Sequence, residues 1–590
     1  MDTYIDISGI VNSRMINHKI ISVDRIFFDR IENREKYKPS LYCKYISSQE
    51  YDMRHQYIYE LKRRIIESFR DEINNYFNLS LSSTQIDTIC GFWFSYFLFN
   101  LYDKYCKIKD INSEHCNIRI CGLQPIFNII PSLASIVNIV DGITFNSCVY
   151  SYICEKLGIN IEYYGECNLE ESFSVIDKIK LFINNPNLIS FYWHKHKKKI
   201  EKKVNLCYNF YDKNIALYGC RFNNSIISYI EENVKDCVNI LPEYFEALNN
   251  ELLATVKIDC GTRNNFKLTS FKSDNEFEDI AKELIVKNLP LDICEGFYTF
   301  YTKALTLTKN WSFKKIYSAG KLSLGGLESH CAAIMRNKGT KIIELQHSAV
   351  YGLNEAMSYF ERQMYDEFLS WGWESNSRYK RARPICAVRF PEQKGKISKR
   401  KHNRILYASN TTERFECGRG ANYASYDHKH FDFYKYLNSE KLKHVVCRLV
   451  FSSYINPIPK GYLHEYKRIK FEDISECSFA DSACRSEVVV CDSYGSTHVE
   501  AMILDCPTVF FDGIDFFIRN KQVSDALEEL KKVDIFAKDA KAAAMIINNI
   551  DDYEFWWNEP ERKRAVSKYL SLVAKDYINA AEIWAKEISS

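Results

Sequence analysis

Glycine and proline are scarce in this 590-residue chain, at 21 and 12 residues. No internal repeat or low-complexity tract is present, so ordinary globular domains are expected. Charge of one sign is also lacking. Lysine plus arginine nearly balance aspartate plus glutamate, for a formal net charge of +3. That balance gives no global attraction to nucleic acid. Long hydrophobic runs are missing too. The longest, Cys90 to Tyr102, is too short to cross a bilayer and ends in charge. Any work at a membrane is therefore expected to be peripheral. Met1–Asp6 has neither the basic start nor the apolar core of a signal peptide. The 21 cysteines form no Cys-x-x-Cys pair and do not cluster with histidine at zinc spacing. Many sit in apolar runs, as Cys90, Cys148, Cys447 and Cys491 do, and read as buried reduced thiols. The expected location is the cytoplasm, on the inner face of the membrane if a membrane is involved. No Asp-x-Asp metal motif lies in a plausible loop, so no metal and no cofactor are expected.

The most informative stretch present runs from Val488 to Asp512. Val488 to Cys491 is an apolar, β-branched run suited to a buried parallel strand. Ser493 to Thr497 forms a small polar turn around Gly495. Ser496 or Thr497 is placed to cap the helix that follows. A helix start offers free N–H groups and positive dipole to a phosphate. Glu500 lies one turn further in, where a carboxylate accepts the two hydroxyls of a ribose. Pro507 ends the helix, and Thr508 to Phe511 resumes a strand. An ordinary capped βαβ unit accounts for the same pattern without a ligand.

A second block spans residues 315 to 375. Lys315–Ser318 reads as a strand entering a turn at Ala319–Gly320. A helix runs from Gly326 to Asn337, and Lys341 to His347 is the next strand. A parallel sheet with right-handed crossover follows. Gln346 and His347 thus fall at a strand's carboxyl end. Histidine there serves as a general base or holds a phosphate, or simply caps the next segment. Glu361 is a candidate carboxylate, although a Glu in a polar helix is usually solvated. Trp371-Gly372-Trp373 reads as packing at an interdomain hinge. Asp103 stands at the end of an apolar helix, and its plain reading is surface exposure or pairing with a basic neighbour. Arg448 ends the strand-like Val445 to Val450, where it is placed to neutralise donor charge. Lys195 to Lys203 holds six lysines in nine residues and reads as a solvated face.

Residues 376 to 402, rich in Arg, Lys, Pro and Gly, read as a linker. The expected domains are 1–375, with helical additions, and 403–590, with a terminal helix from Pro560. Ligands of open α/β sheets bind beyond the carboxyl ends of strands. A cleft between the domains would bring together the loops after Leu345 and after Cys491.

These blocks together resemble a family of transferases encoded in bacterial surface-polysaccharide (O-antigen and capsule) loci. The family's Gly-Pro-Trp helix running into Leu-Tyr-Asp-Arg-Tyr is similar to Gly91-Phe-Trp93 through Leu101-Tyr-Asp103-Lys-Tyr105. Its Gln-His-Gly-Gly and Tyr-Gly resemble Gln346-His347-Ser348-Ala349 and Tyr351-Gly352. Its Glu segment before Trp-Gly-Trp is similar to Glu361 through Trp373. Its C-terminal blocks resemble Val490-Cys-Asp492, Ser496-Thr497, Glu500-Ala501, Pro507-Thr508 and Trp556-Trp557-Asn558. Ser348-Ala349 replaces the paired glycines, and Phe92 replaces the proline.

The resemblance implies an α/β fold of two Rossmann-like domains facing a cleft, GT-B-like, with a helical N-terminal elaboration. It implies a metal-independent glycosyltransferase. His347, Glu361 and Asp103 would be its catalytic residues. Arg448, Ser496, Thr497, Glu500, Gln346 and Ser318 would be its donor-binding residues. The leading donor is a CMP-sugar carrying a Kdo-like ulosonic acid, and the acceptor is a glycan or lipid-linked glycan. CDP-alcohol phosphotransfer, nucleotide-sugar epimerisation and non-catalytic binding remain open on the same fold.

Overall fold

The computed structural model describes residues 3–7, 19–23, 40–42, 47–114, 118–125, 127, 130, 132, 143–163, 210, 212–322, 325–353, 364–375, 382–388, 390, 403–409, 421–422, 432–449, 470–472, 477–511, 515–516, 520–575 and 577–590. Glu361, the lysine run 195–203 and most of the stretch 376–402 lie outside these residues.

Three parallel sheets follow one another along the chain. The last is built from Lys470–Phe471, Val445–Leu449, Ile405–Ser409, Val488–Cys491, Thr508–Phe511 and Phe536–Ala537, in that spatial order. Numbered along the chain, this is 3-2-1-4-5-6, the strand order of a Rossmann fold. Ile405–Ser409, Val488–Cys491 and Thr508–Phe511 are buried along their whole length. A parallel sheet covered on both faces demands such near-continuous apolar runs.

The middle sheet is ordered Ala382–Pro384, Glu367–Ser370, Lys341–Leu345, Lys315–Ser318, Ile215–Tyr218, Cys237–Ile240. Ala382–Pro384 falls inside the stretch read as a linker. It pairs in parallel with Glu367–Ser370 as an edge strand, where proline's missing N–H costs little.

The N-terminal elaboration is more than helical. It carries a five-stranded parallel sheet in which Thr3–Asp6 pairs with both Lys19–Ser22 and Ile118–Gly122. Two long helices, Ser48–Phe77 and Ser83–Glu114, share its core with Ile143–Lys156 and Glu276–Asn288. Ser47 caps the first, accepting from Glu50 N, and Asn78 ends it in the left-handed conformation. The second helix packs against Leu327–Asn337 and so joins this layer to the middle sheet.

One continuous hydrophobic core runs through the middle and last sheets. Trp371 and Trp373 are fully buried in it, as packing at a junction requires. The final helix, Ala580–Ser589, crosses back onto Asn224–Asn233 of the middle unit. There Glu587 takes Arg383 in a two-pronged ion pair, and Trp584 meets Phe222 edge-on. Every described cysteine is a free thiol, and most are buried. Among the described residues no helix is long and apolar enough to cross a membrane.

Candidate functional site

The 3-2-1-4-5-6 order puts the chain's reversal between Ile405–Ser409 and Val488–Cys491. A ligand of such a sheet sits beyond their carboxyl ends. The turn Asp492–Gly495 lies there and leads into the helix Ser496–Ile503. Gly495, not Ser496 or Thr497, is the capping residue. The helix therefore begins one residue earlier than a serine cap requires. The two hydroxyls stand in its first turn and are not spent on its own N–H groups. Ser496, Thr497 and Glu500 are half-buried, while His498 and Val499 between them are buried. That split is the three-to-four-residue periodicity of one helix face.

His498 shapes this turn, a role that the sequence reading missed. Its Nδ1 accepts Gly495 N–H at 3.3 Å, and its Nε2 lies 2.7 Å from the Tyr569 hydroxyl. Accepting at Nδ1 fixes the neutral tautomer with the proton on Nε2. The ring stacks on Phe510 at 4.2 Å. Burial pulls its pKa down to about 3. His330, buried in the first turns of Leu327–Asn337, is likewise pulled down by burial to about 4. Both gain a proton in the unfolded chain near pH 6.5 but stay neutral when folded. Their stabilising contribution is thus complete above pH 6.5 and is lost as pH falls toward the folded values. Between pH 6 and 4, His498→Gln should lose about 1.4 kcal/mol less per pH unit than the wild type in urea unfolding. Equal slopes would refute the assignment.

The middle sheet supplies the opposite wall. His347 follows Lys341–Leu345 and is half-buried. The Tyr351 hydroxyl faces the ring edge, 3.0 Å from Nε2 and 3.2 Å from Nδ1. Gln346 is fully buried. Its Oε1 accepts from Trp371 N and Trp373 Nε1, both at 2.8 Å, and its Nε2 donates to Ser348 O at 2.8 Å. The amide expected to bind donor instead ties the histidine loop to the Trp-Gly-Trp turn. Ala349 N–H then reaches across to Ser496 Oγ at 3.3 Å. The loops after Leu345 and after Cys491, which belong to different sheets, are in direct contact.

Ser318 is buried at the end of its strand, and its Oγ takes a long bond from Leu322 N at 3.4 Å. Arg448 does not present a free guanidinium. Its Nη1 pairs with Glu472 Oε2 at 2.7 Å, and its Nη2 donates to Cys477 O at 3.1 Å. Arg404 shares the same carboxylate at 2.7 Å. Burial pushes the Glu472 carboxyl up, but bonds from Arg448, Ser482 and Cys477 outweigh it, and its pKa falls below the ordinary value. Asp103 stands on Ser83–Glu114, 4.0 Å from Arg54. Trp557 of the Trp-Trp-Asn block donates to Asp505, the left-handed residue that ends the Ser496–Ile503 helix. Among the described residues no group of three or more His, Cys, Asp or Glu is gathered to hold a metal.

No curated protein matches the chain in sequence. Among the solved structures that are similar in shape are the following three. UDP-glucose: anthocyanidin 3-O-glucosyltransferase in complex with UDP covers 64% of this chain and 99% of its own, at 10% identity and TM-score 0.33. The wall teichoic acid polymerase TagF covers 70% and 97%, at 11% identity and TM-score 0.32. The spinosyn rhamnosyltransferase SpnG complexed with spinosyn aglycone covers 61% and 96%, at 8% identity and TM-score 0.30. Scores this low carry no argument about activity. A family model, in contrast, matches residues 35–588, nearly the whole chain, and the protein therefore belongs to the family described as LIC12162 family transferase.

Proposed function

We propose that this transferase moves a sugar from a nucleotide donor to a glycan acceptor in bacterial surface-polysaccharide assembly, with a CMP-linked, Kdo-like ulosonic acid as the leading donor. The contact between Ala349 N–H and Ser496 Oγ carries the reading. It sets a histidine from one parallel sheet beside a hydroxyl-bearing helix start from another, at the second sheet's topological switch point. In this reading the helix start and the hydroxyls of Ser496 and Thr497 hold the donor phosphate. Glu500, one turn further in on the same face, takes the ribose hydroxyls. His347 accepts the acceptor's proton or protonates the leaving group. The departing phosphate is stabilised by the helix N–H groups, without metal or cofactor. The acceptor is a glycan or lipid-linked glycan met at the inner face of the membrane.

A thermal-shift panel of CMP, CDP, UDP, GDP and dTDP tests this. A nucleotide at a hundred times its Kd should stabilise the native state by about 2.7 kcal/mol. A selective CMP response, lost in Glu500→Ala, is the expected result. A UDP, GDP or dTDP response would keep sugar transfer and discard the CMP donor. A CDP response would favour phosphotransfer from a CDP-alcohol. Silence across the panel would overturn the nucleotide site.

A further inference from the structure

The middle sheet has its own switch point, which the transfer reading leaves unused. It lies between Ile215–Tyr218 and Lys315–Ser318. The chain leaves Ser318, passes Gly325 and Gly326, and enters the helix Leu327–Asn337. Both glycines have left-handed φ, +84° and +85°. A Cβ on Gly326 would lie 2.7 Å from Asn249 Nδ2 and 2.9 Å from Glu328 Oε2. The corner is pressed against a carboxyl that faces inward. Glu328 is 9% exposed. Its Oε1 accepts from the Tyr218 hydroxyl at 3.1 Å and its Oε2 from Asn249 Nδ2 at 2.8 Å. Asn249 Oδ1 also accepts Leu327 N–H at 2.7 Å. Strand, helix Pro242–Thr255 and corner therefore meet on this one side chain.

Neither bonding partner carries a charge. The ionisable groups that face the cluster are Lys321 on the preceding turn, Glu243 on Pro242–Thr255, which acts on Tyr218, and Cys331 on the same helix. Among the described residues no Lys or Arg forms an ion pair with Glu328. A carboxylate that loses water without gaining a cation favours its neutral form. The bonds from Asn249 and Tyr218 and the field of Lys321 oppose that preference, and burial outweighs them, which lifts the pKa to about 7.

We propose that Glu328, with Tyr218 and Asn249, is a proton-operated latch that holds the Gly325–Gly326 corner at the switch point of the middle sheet. The protonated carboxyl keeps the latch closed, and the ionised one releases it toward water. The sign follows from linkage. A folded pKa raised above the unfolded 4.5 gives closure that is complete below pH 4.5 and is lost as pH rises through 7. Glu328 is a positioning residue here, and the latch is independent of what the nucleotide site binds.

Hydrogen exchange on the full chain at pH 6 and pH 8, corrected for the intrinsic rate, tests the latch without substrate. Peptides spanning Gly325–His330 and the helix around Asn249 should lose about tenfold in protection between these values. Glu328→Gln, which keeps the shape but cannot ionise, should stay protected at both. Tyr218→Phe removes a bond that favours the ionised form, so its midpoint should move to higher pH. Unchanged wild-type protection, or the same tenfold loss in Glu328→Gln, would overturn the proposal. If Glu328→Gln does not fold, an unmoved midpoint in Tyr218→Phe does the same.

Discussion

Replacing His347 with alanine is expected to lower turnover by about 10²–10⁴-fold while nucleotide binding stays at the wild-type level. The size follows from how firmly the ring is held. Gln346, its neighbour, is locked by three bonds at 2.8 Å into the Trp371–Trp373 turn. The ring meets Tyr351 edge-on at 4.9 Å between centroids, and Tyr351 is itself buried against Phe368. An imidazole fixed this way loses little freedom on reaching the transition state, so its removal is felt in turnover. Tyr351→Phe keeps the ring stack and removes only the hydroxyl facing the imidazole. It should cost about tenfold, the worth of one hydrogen bond. Both effects are read as nucleotide released from the donor that the thermal-shift panel selects. The same panel, run on each variant, checks that binding is unchanged. Full turnover in His347→Ala would remove the histidine from the chemistry.

The elements that frame this site were legible in the sequence because they are punctuated locally. Lys315–Ser318, Lys341–Leu345, Val488–Cys491 and Thr508–Phe511 are short β-branched runs bounded by Gly, Pro or Ser, and they fold at those positions. The helix after Gly495 was equally clear, but its cap was not, because Gly495 and Ser496 compete for one position. The N-terminal sheet stayed hidden. Its strands are two to five residues long, and Thr3–Asp6 pairs with a strand over a hundred positions away. A run that short does not distinguish strand from buried helix by periodicity. Partners posed the same problem. Ala349 meets Ser496 across 147 positions, and Arg448 finds its counter-charge on Glu472, 24 positions further along the chain, which composition alone does not pair. Residue types suggested which groups carry chemistry. Only the fold tells which of them are already spent, as Gln346 and Arg448 are.

Gly372→Ala is expected to be the most damaging single substitution at the junction of the two α/β units. The residue sits at φ +133°, a conformation that L side chains rarely adopt. The space is closed as well. A Cβ there would lie 2.5 Å from Ser571 O, 3.0 Å from Leu572 O and 2.9 Å from Lys575 Cβ. Two of these are backbone oxygens at the end of Pro560–Val573, so no rotamer change relieves them. The turn cannot simply retreat either. Trp371 O accepts Lys575 N–H at 3.0 Å, and Glu374 is bonded to Gln522 and Asn520. Backbone strain of about 1–3 kcal/mol and overpacking of similar size both apply. A loss of about 2–5 kcal/mol in urea unfolding follows. Function should fall with it, because Trp371 and Trp373 hold Gln346, and Gln346 holds the loop that carries His347 and Ala349. Gly372→Ala should therefore weaken the nucleotide response even under conditions where the chain is still folded, although the substituted residue touches neither Ser496 nor Glu500. An undiminished nucleotide shift in folded Gly372→Ala would mean that the two loops keep their contact without this junction, and that the Trp-Gly-Trp turn serves stability alone.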